Sequence, residues 1–212
     1  MVSHLLNIDE ELAAKVSEGL GLAELPAPAK ASKPTKQDLR PSDALSIVKR
    51  GPHSFAGRKL GLLLSDGADA SLFDALSEAV ESADALLEVV APKVAGAVLS
   101  DGKLIPAKQK IDGGPSVLFD AVAVIVSDEG AALLAQDAPP RDFINDAFAH
   151  CKFIGYSPEA HALFERTGLT EHLDEGCVPI AKTKDVKSFV ELLTELRFWP
   201  RELNVDLDAK KK

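Results

Sequence analysis

The residues best suited to catalysis are Ser157, Pro158 and Glu159, which follow the apolar stretch 153–156. A serine between a strand and a helix is where many hydrolases hold a nucleophile. The local sequence has the first glycine of a GxSxG motif and lacks the second, and the nearest histidine, His161, is not evidently placed as a base. The interpretation we favour is structural, because serine is a common helix N-cap and proline is common at the first helical position.

Sites for nucleotides or metals are not indicated. The turn Ser65-Asp66-Gly67-Ala68-Asp69 contains neither a GxGxxG nor a GxxxxGK[ST] motif, and its two carboxylates would repel a phosphate. Asp128 and Glu129 add negative charge at a second turn. The five histidines form no HxH or HxxxH pair, and no acidic cluster has the spacing of a calcium loop. We therefore expect no cofactor and no metal.

The two cysteines, Cys151 and Cys177, form no CxxC motif and are too few for a disulfide framework. Both lie beside predicted strands, and free cysteine is among the most frequently buried residue types. We expect both to be buried as small apolar side chains. A redox role for Cys151 would require an accessible thiol with a lowered pKa.

The composition is that of a folded acidic protein, with 46% hydrophobic residues and a net charge of −9. This charge argues against binding to nucleic acid or to anionic membranes, and only the tail Lys210-Lys211-Lys212 is locally basic. No run of about 18 apolar residues predicts a membrane span. The sequence does not begin with the pattern of a secretory signal, so the expected compartment is the cytoplasm.

Three regions differ in composition. Residues 1–22 contain a predicted helix from Asn7 to Leu22, in which Asn7 is the expected N-cap and Glu10 completes a capping box. The apolar residues of one helix face are Ile8, Leu12, Val16 and Leu20. Residues 23–56 are rich in proline and alanine and predict an extended linker with one apolar island at 44–48. The domain proper is expected at 57–212.

Apolar stretches alternate with helical patterns through residues 57–212. Strands are predicted at 59–65, 86–91, 121–126, 153–156 and 177–181, with a hairpin at 94–107 around Asp101-Gly102. Helices are predicted at 71–83, 130–136, 141–149, 159–166 and 186–198. This order predicts an α/β fold of flavodoxin-like type, a doubly wound and mostly parallel sheet with helices on both faces. Ligands of such folds bind beyond the carboxyl ends of the strands, so the turns 65–70, 127–130 and 156–159 are the places to search.

Several separated motifs resemble one protein family. They are Asn7-Ile8-Asp9-Glu10-Glu11-Leu12-Ala13, Glu18-Gly19-Leu20-Gly21-Leu22, Ala56-Gly57-Arg58-Lys59, Ser65-Asp66-Gly67-Ala68-Asp69, the segment from Gly113 to Ala121 and the segment from Phe148 to Gly155. Together they resemble the C-terminal part of large-subunit haem catalases. The resemblance covers essentially the whole chain.

This resemblance implies a module and not an enzyme. In that family a β-barrel with a helical region precedes this part and carries the haem, and residues 1–22 resemble the end of the helical region. The family ligates haem iron through tyrosine, whereas the only tyrosine here, Tyr156, lies outside any matching motif. We therefore expect this chain alone to bind no haem and to decompose no peroxide.

The flavodoxin-like module of those catalases is similar to the PfpI-like branch of the class I amidotransferase-like superfamily. Those proteins have a cysteine nucleophile where this sequence has Ser157-Pro158, and a glutamate where it has Asp69. The missing thiol puts that activity in doubt, and a degenerate hydrolase or deglycase at the Ser157 turn is the alternative.

The resemblance implies a stabilising role in the parent catalase, whose barrel and helical regions would be its partners. It also implies a holdase-type chaperone activity toward unfolded client proteins, which would prevent their aggregation under oxidative or heat stress. Such an activity needs exposed apolar surface among charges, and an acidic domain with an unpartnered apolar helix and island offers both. The sequence leaves open whether the chain forms a homo-oligomer through the same surfaces.

Overall fold

A computed structural model describes residues 1–36 and 38–204 of the chain. The basic tail at 210–212 lies outside the described residues. The chain divides into two compact units, Met1–Lys49 and Arg50–Lys212. The second unit therefore begins seven residues before the domain start expected at position 57. Phe55 explains the difference, because its buried side chain belongs to the core of the second unit and anchors the residues that precede the first strand.

The first unit (Met1–Lys49) begins with two helices, α1 (Val2–Leu5) and α2 (Glu10–Gly19). The predicted cap at Asn7 is wrong: Asp9 is the N-cap of α2, and its Oδ1 accepts a hydrogen bond of 2.8 Å from the backbone N–H of Leu12. The amide of Asn7 instead donates to the carbonyl of Ala29 at 2.8 Å. A short helix, α3 (Ile47–Arg50), crosses the boundary between the units.

The apolar face predicted for the first helix is largely exposed. Ile8, Leu12 and Leu20 are 65%, 45% and 55% exposed, while the buried residues of α2 are the small Ala13 and Ser17. The periodicity therefore predicted a helix correctly but not the face that is buried.

The second unit (Arg50–Lys212) is built on a six-stranded, entirely parallel sheet of order β5-β2-β1-β6-β7-β8. Its strands are β1 (Lys59–Leu64), β2 (Leu86–Ala91), β5 (Gln109–Lys110), β6 (Ala121–Ile125), β7 (Ile154–Tyr156) and β8 (Cys177–Pro179). A separate antiparallel hairpin pairs β3 (Ala97–Val98) with β4 (Leu104–Ile105), as Asp101-Gly102 predicted. The flavodoxin-like α/β prediction is confirmed.

Helices cover both faces of the sheet because both faces of the central strands are apolar. In β1, Leu62 and Leu64 belong to one buried cluster and Leu63 to the other. One face packs against α4 (Ala70–Ser82) and α8 (Thr183–Leu192). The other packs against α5 (Asp128–Leu134), α6 (Ala138–Ala149) and α7 (His161–Thr167). Among the described residues, none of the helices is both long and apolar enough to cross a membrane.

Gly61 shows how closely the second face is packed. A Cβ atom at this position would lie 2.3 Å from Cδ2 of Phe119, and Phe119 in turn contacts Phe143 with ring centroids 6.1 Å apart. Only glycine leaves room for this ring against β1. The aromatic pair fills the space between β1 and α6.

The last helix and the edge strand β5 depart from the predictions. The last helix, predicted at 186–198, begins at Thr183 and ends at Leu192, followed by a 3-10 turn to Glu195. Leu196 then adopts φ +65°, a backbone conformation that no helix continues through. The edge strand β5 was not predicted, because its two residues, Gln109 and Lys110, are polar and show no periodicity.

Candidate functional site

The carboxyl ends of β1 and β6 are the expected ligand site of this fold. From β1 the chain winds outward in one direction through β2 and β5, and from β6 in the other through β7 and β8. Neighbouring strands that diverge in this way leave a crevice between their following turns, and doubly wound proteins bind ligands in that crevice. The structure brings the three predicted turns together at this edge.

Hydrogen bonds between the turns close the crevice. The hydroxyl of Ser65 accepts from the backbone N–H of Ser127 at 3.1 Å, and the hydroxyl of Ser127 donates to the carbonyl of Asp66 at 2.7 Å. Ser127 also caps α5, accepting from the N–H of Gly130 at 3.0 Å. The polar groups that could have held a ligand here therefore bind one another.

Glycine allows the turns to approach this closely. A Cβ atom on Gly130 would lie 1.9 Å from the hydroxyl oxygen of Ser65, and one on Gly67 would lie 3.2 Å from the side chain of Ser127. Gly67 also has φ +77°, and its N–H donates to the carbonyl of Val98 at 2.7 Å. The floor of the crevice is thus occupied by protein atoms.

Asp66 is held in place by the β3–β4 hairpin and by Lys93. Its Oδ1 accepts from the N–H of Val98 at 2.9 Å, and its Oδ2 lies 3.0 Å from Nζ of Lys93. The bond from Val98, and then the bond from Lys93, lower the pKa of the Asp66 carboxyl. This carboxylate is ionised at neutral pH and fixes the hairpin, which is a structural role.

Asp69, the acidic residue expected to correspond to a catalytic glutamate, is the N-cap of α4. Its Oδ1 accepts from the N–H of Leu72 at 2.9 Å. A carboxylate engaged in this way satisfies one of the unpaired donors of the helix, and its negative charge interacts favourably with the positive end of the helix dipole.

Ser157 is fully buried at the end of β7. Its N–H donates to the carbonyl of Val124 at 2.9 Å, and its hydroxyl lies 3.4 Å from both the carbonyl and the N–H of Val126. Its backbone is unstrained, at φ −75° and ψ 152°, unlike the strained turn that exposes a serine nucleophile. Ser157 occupies the N-cap position, but the expected cap through its hydroxyl is absent, because the backbone of Val126, just after β6, engages that hydroxyl.

The other residues of this turn form no catalytic arrangement with Ser157. Pro158 and Glu159 form a 3-10 turn ending at Ala160, with Pro158 at its first position. His161 begins α7, is exposed and pairs with Glu165 at 3.2 Å. Among the described side chains, Ser157 therefore has no hydrogen-bonded base.

A cavity of about 320 Å³ remains beside the closed crevice. Asp66, Glu129 and Asp137 line it together with one cation, Lys93, and Leu133 and Leu134 supply apolar surface. The excess of carboxylates disfavours an anionic ligand there, as the sequence predicted for the Asp128-Glu129 turn.

The two cysteines are buried, as expected, at 3% and 5% exposure. Burial raises the pKa of the Cys177 thiol to about 11, and burial followed by the nearby Glu202 raises that of Cys151. Both thiols are protonated at neutral pH and unreactive as nucleophiles. A redox-sensing Cys151 has no support in these surroundings.

Sequence reasoning missed a cluster of basic residues at the opposite end of the sheet. Lys152, just before β7, is 3% exposed, and Arg201 is 2% exposed. Arg197 lies near them and donates to the carbonyl of Asp120 at 2.8 Å. A buried lysine or arginine is rare, but burial was not visible in the sequence, and Arg197 and Arg201 lie far along the chain from Lys152.

The fold and the closed crevice define a class of protein, a flavodoxin-like α/β domain whose strand-end turns bind one another. The structure is similar to oxidized DJ-1 of Toxoplasma gondii, with a TM-score of 0.54 and 13% identity over 70% of this chain and 95% of that chain. Since the identity is so low, this similarity establishes the fold alone.

Sequence comparison identifies the family. Residues 56–202 match the C-terminal domain found in long catalases, and the chain belongs to this family. It is 53% identical to Catalase C of Rhizobium meliloti (strain 1021) over 207 residues, 98% of this chain and 29% of that protein. It is also 32% identical to Catalase HPII of Pseudomonas putida over 93% of this chain and 27% of that protein. The chain thus spans less than a third of the length of these relatives.

Proposed function

We propose that this chain is a non-catalytic module that stabilises a long catalase, and that its first unit also holds unfolding client proteins in solution. Peroxide decomposition and haem binding are assigned in this proposal to the remainder of the longer protein. The relatives support this assignment, because the chain corresponds to only 27–29% of the two catalases compared above.

The observation that carries the proposal is the exposed apolar surface of the first unit (Met1–Lys49). Its large apolar side chains that lie open to solvent include Leu12 at 45%, Leu45 at 88% and Ile47 at 72%. Scattered exposed apolar residues are normal, but this short unit contains ten of the nineteen large ones in the described chain. Such a surface favours contact with another polypeptide.

The two roles have one physical basis. Each apolar side chain that leaves water contributes about 25 cal/mol per Å² of buried surface, whether it packs on a folded partner or on an unfolding one. The net charge of −9 keeps such complexes soluble through repulsion. The domain could therefore bind its parent protein and, when that surface is free, a client.

The closed crevice supports the non-catalytic part of the proposal. The buried Ser157 hydroxyl and the capping Asp69 carboxylate are both used by the fold. No observation favours the alternative of a degenerate hydrolase or deglycase at this turn.

The test is light scattering from a heat-denaturing client such as citrate synthase. The added chain should suppress aggregation in proportion to its concentration, and an equal mass of an inert acidic protein should not. Equal suppression by the two proteins would show that the first unit does not act as a holdase.

A triple variant locates the activity. Replacing Leu12, Leu45 and Ile47 by serine removes three of the exposed apolar side chains of the first unit and should weaken the suppression. The matched control replaces Val94, Leu104 and Leu133, which are 71%, 55% and 67% exposed in the second unit, by serine and should retain it. If the control loses as much activity as the triple variant, the effect is not specific to the first unit.

The same surface could mediate self-association, so the molar mass of both variants is measured by light scattering before the assay.

A separate experiment tests the stabilising role, by adding the chain to Catalase C of Rhizobium meliloti truncated to remove its matching part. The truncated catalase should gain thermal stability from the wild-type chain and less from the triple variant. No gain with the wild-type chain would refute this role while leaving the holdase test intact.

A further inference from the structure

A cavity of about 480 Å³ lies at the amino end of β7, the opposite end of the sheet from the closed crevice. Such a volume suits a small organic molecule. Its lining combines two cationic side chains, Lys152 and Arg197, with His150, the apolar Val117 and Trp199, and the carboxylate of Glu202. In a chain with an acidic surface, this is a locally basic cavity.

The arginines around the cavity differ in how they are paired. Arg58 pairs with Asp120 at 3.3 Å, and Arg201 pairs with Asp174 at 2.7 Å. Arg197 forms no ion pair with any described residue. Its Nη1 donates to the backbone carbonyls of Asp120 and Leu196, each at 2.8 Å, while Nε and Nη2 have no partner in the described part of the chain. A half-buried guanidinium with free donors beside a cavity is suited to binding an oxyanion.

Lys152 adds a second positive charge. Its Nζ donates to the carbonyls of Ser116 at 2.5 Å and Phe119 at 2.6 Å, and no carboxylate of a described residue pairs with it. Burial, and then the charge of Arg197, lower its pKa to about 8. The amine therefore remains mostly charged at neutral pH and contributes to the field in the cavity.

The backbone around the cavity is strained at two positions. Cys151 has φ +54° and Leu196 has φ +65°, values that residues with a side chain rarely adopt. The N–H of Phe198 donates to the carbonyl of Cys151 at 2.7 Å and joins the two strained segments. Strained residues persist only where the surrounding fold fixes them, and they are concentrated at binding sites.

We propose that this cavity binds a small organic monocarboxylate, with its carboxylate on Arg197 and its apolar body against Trp199 and Val117. Trp199 is 40% exposed and Val117 is 66% exposed, so both offer apolar surface to a ligand. The Glu202 carboxylate, which accepts a hydrogen bond from the Cys151 thiol at 3.6 Å, offsets one of the two positive charges. The lining side chains Lys152, Arg197 and Glu202 therefore sum to one positive charge, which matches a monoanion better than a dianion.

The only tryptophan of the chain provides a direct measurement, because Trp199 lines this cavity. Hexanoate is titrated against the full chain at constant ionic strength while the tryptophan emission is recorded. We expect a saturable change with a dissociation constant in the millimolar range, as suits so small a ligand. Hexanamide keeps the apolar body without the charge and should bind about tenfold more weakly or not at all.

Variants assign the contacts. Arg197→Gln should weaken hexanoate binding by about tenfold or more, since a hydrogen-bonded charge is lost. The matched control is Arg166→Gln, because Arg166 is exposed on α7 and does not line the cavity. Trp199→Phe is followed by calorimetry and should retain part of the affinity. Near-ultraviolet circular dichroism and the melting temperature establish that each variant is folded.

Three results would overturn the proposal. One is the absence of a saturable response up to about 50 mM hexanoate, a concentration at which even weak specific binding is detected. Another is unchanged affinity in a folded Arg197→Gln variant. The third is equal affinity for hexanamide or for inorganic phosphate. Equal affinity for hexanamide would show that the carboxylate is not recognised, and equal affinity for phosphate would show that the apolar body is not.

Discussion

Arg201 should be the most costly single side chain to remove from the second unit. It is 2% exposed, and its Nε and Nη2 donate to the two carboxylate oxygens of Asp174 at 2.7 and 2.8 Å. Its Nη1 donates to the backbone carbonyls of Phe148 at 3.1 Å and Lys152 at 2.9 Å, and its guanidinium stacks 4.2 Å from the Phe148 ring centroid. One side chain thus joins α6, the segment before β7 and the loop before β8.

The expected loss of unfolding free energy follows from the groups that Arg201→Met leaves without a partner. The methionine fills much of the volume, but the Asp174 carboxylate and the carbonyls of Phe148 and Lys152 lose the hydrogen bonds that Arg201 donates. Breaking a buried ion pair by removing one partner costs about 3–5 kcal/mol, and a domain is typically stable by about 5–15 kcal/mol. In a unit of this size, each kcal/mol lowers the melting temperature by about 2–4 °C, so we expect a fall of about 10 °C.

The pH dependence provides a second signature. Burial raises the pKa of the Asp174 carboxyl, but the hydrogen bonds and charge of Arg201, with the N–H of Gly176, outweigh it and lower the pKa overall. The stability that this carboxylate contributes is therefore complete above its unfolded pKa of about 3.9 and is lost as the pH falls through its lower folded value. The difference between wild type and Arg201→Met should narrow in that acidic range.

Urea denaturation followed by circular dichroism measures the loss. Arg166→Met is the control, since an exposed substitution should change the unfolding free energy by less than about 0.5 kcal/mol. Asp174→Asn and the double variant complete a cycle that should give a large coupling energy. If Arg201→Met lowers the unfolding free energy by less than about 1 kcal/mol, the interpretation of Arg201 as a buried hub is wrong.

Two further predictions concern the sheet and the basic cavity. Gly61→Ala forces a Cβ atom to within 2.3 Å of the Phe119 ring and should cost about 1–3 kcal/mol in urea denaturation, whereas Gly113→Ala, with open space around it, should be close to neutral. The pKa of Lys152 is about 8 in the folded state and about 10.4 in the unfolded state. Between these pH values Lys152 is largely deprotonated when folded and protonated when unfolded, so the unfolded state binds one more proton. The stability of wild type relative to Lys152→Met should therefore rise by up to about 3 kcal/mol from pH 7.5 to 10.5, and a flat or falling difference would contradict the lowered pKa.

Most of the second unit could be predicted from its sequence because a buried parallel strand has a strong pattern. The runs that became β1 and β6 are apolar on both faces, which excludes a sheet with one face in water. The strand β5 could not be predicted, since its two residues are fixed by the edge of β2 and not by their own pattern. Tertiary context also placed Phe55 in the core, although its neighbours in sequence resemble a linker.

The sequence predicted that the three turns lie together, but it did not predict what their side chains bind. The three turns meet because the carboxyl ends of parallel strands share one edge of the sheet. What the Ser157 hydroxyl binds depends on Val126, a residue 31 positions away that directly follows β6. A local pattern predicts a helix cap at such a serine, and only the packed structure shows the competing partner.

In the first unit, the sequence pattern predicted the helix but not which of its faces is buried. Ile8, Leu12 and Leu20 share the face that helical spacing assigns to a core, yet they are exposed, and α2 buries Ala13 and Ser17. An amphipathic face implies a partner surface but does not say which molecule supplies it. This exposed face is the feature that the stabilising role would explain.

The closed crevice is not one substitution away from an active site. Replacing Ser157 by cysteine would supply a thiol, but this thiol would be buried, and burial keeps a thiol protonated and unreactive. The carboxylate at Asp69 would still cap α4, and Gly130 would still pack against the Ser65 hydroxyl where a substrate would have to enter. Each obstacle has its own structural cause, so removing one leaves the others intact. The crevice is therefore part of the core of this domain, and a ligand must be sought elsewhere on its surface.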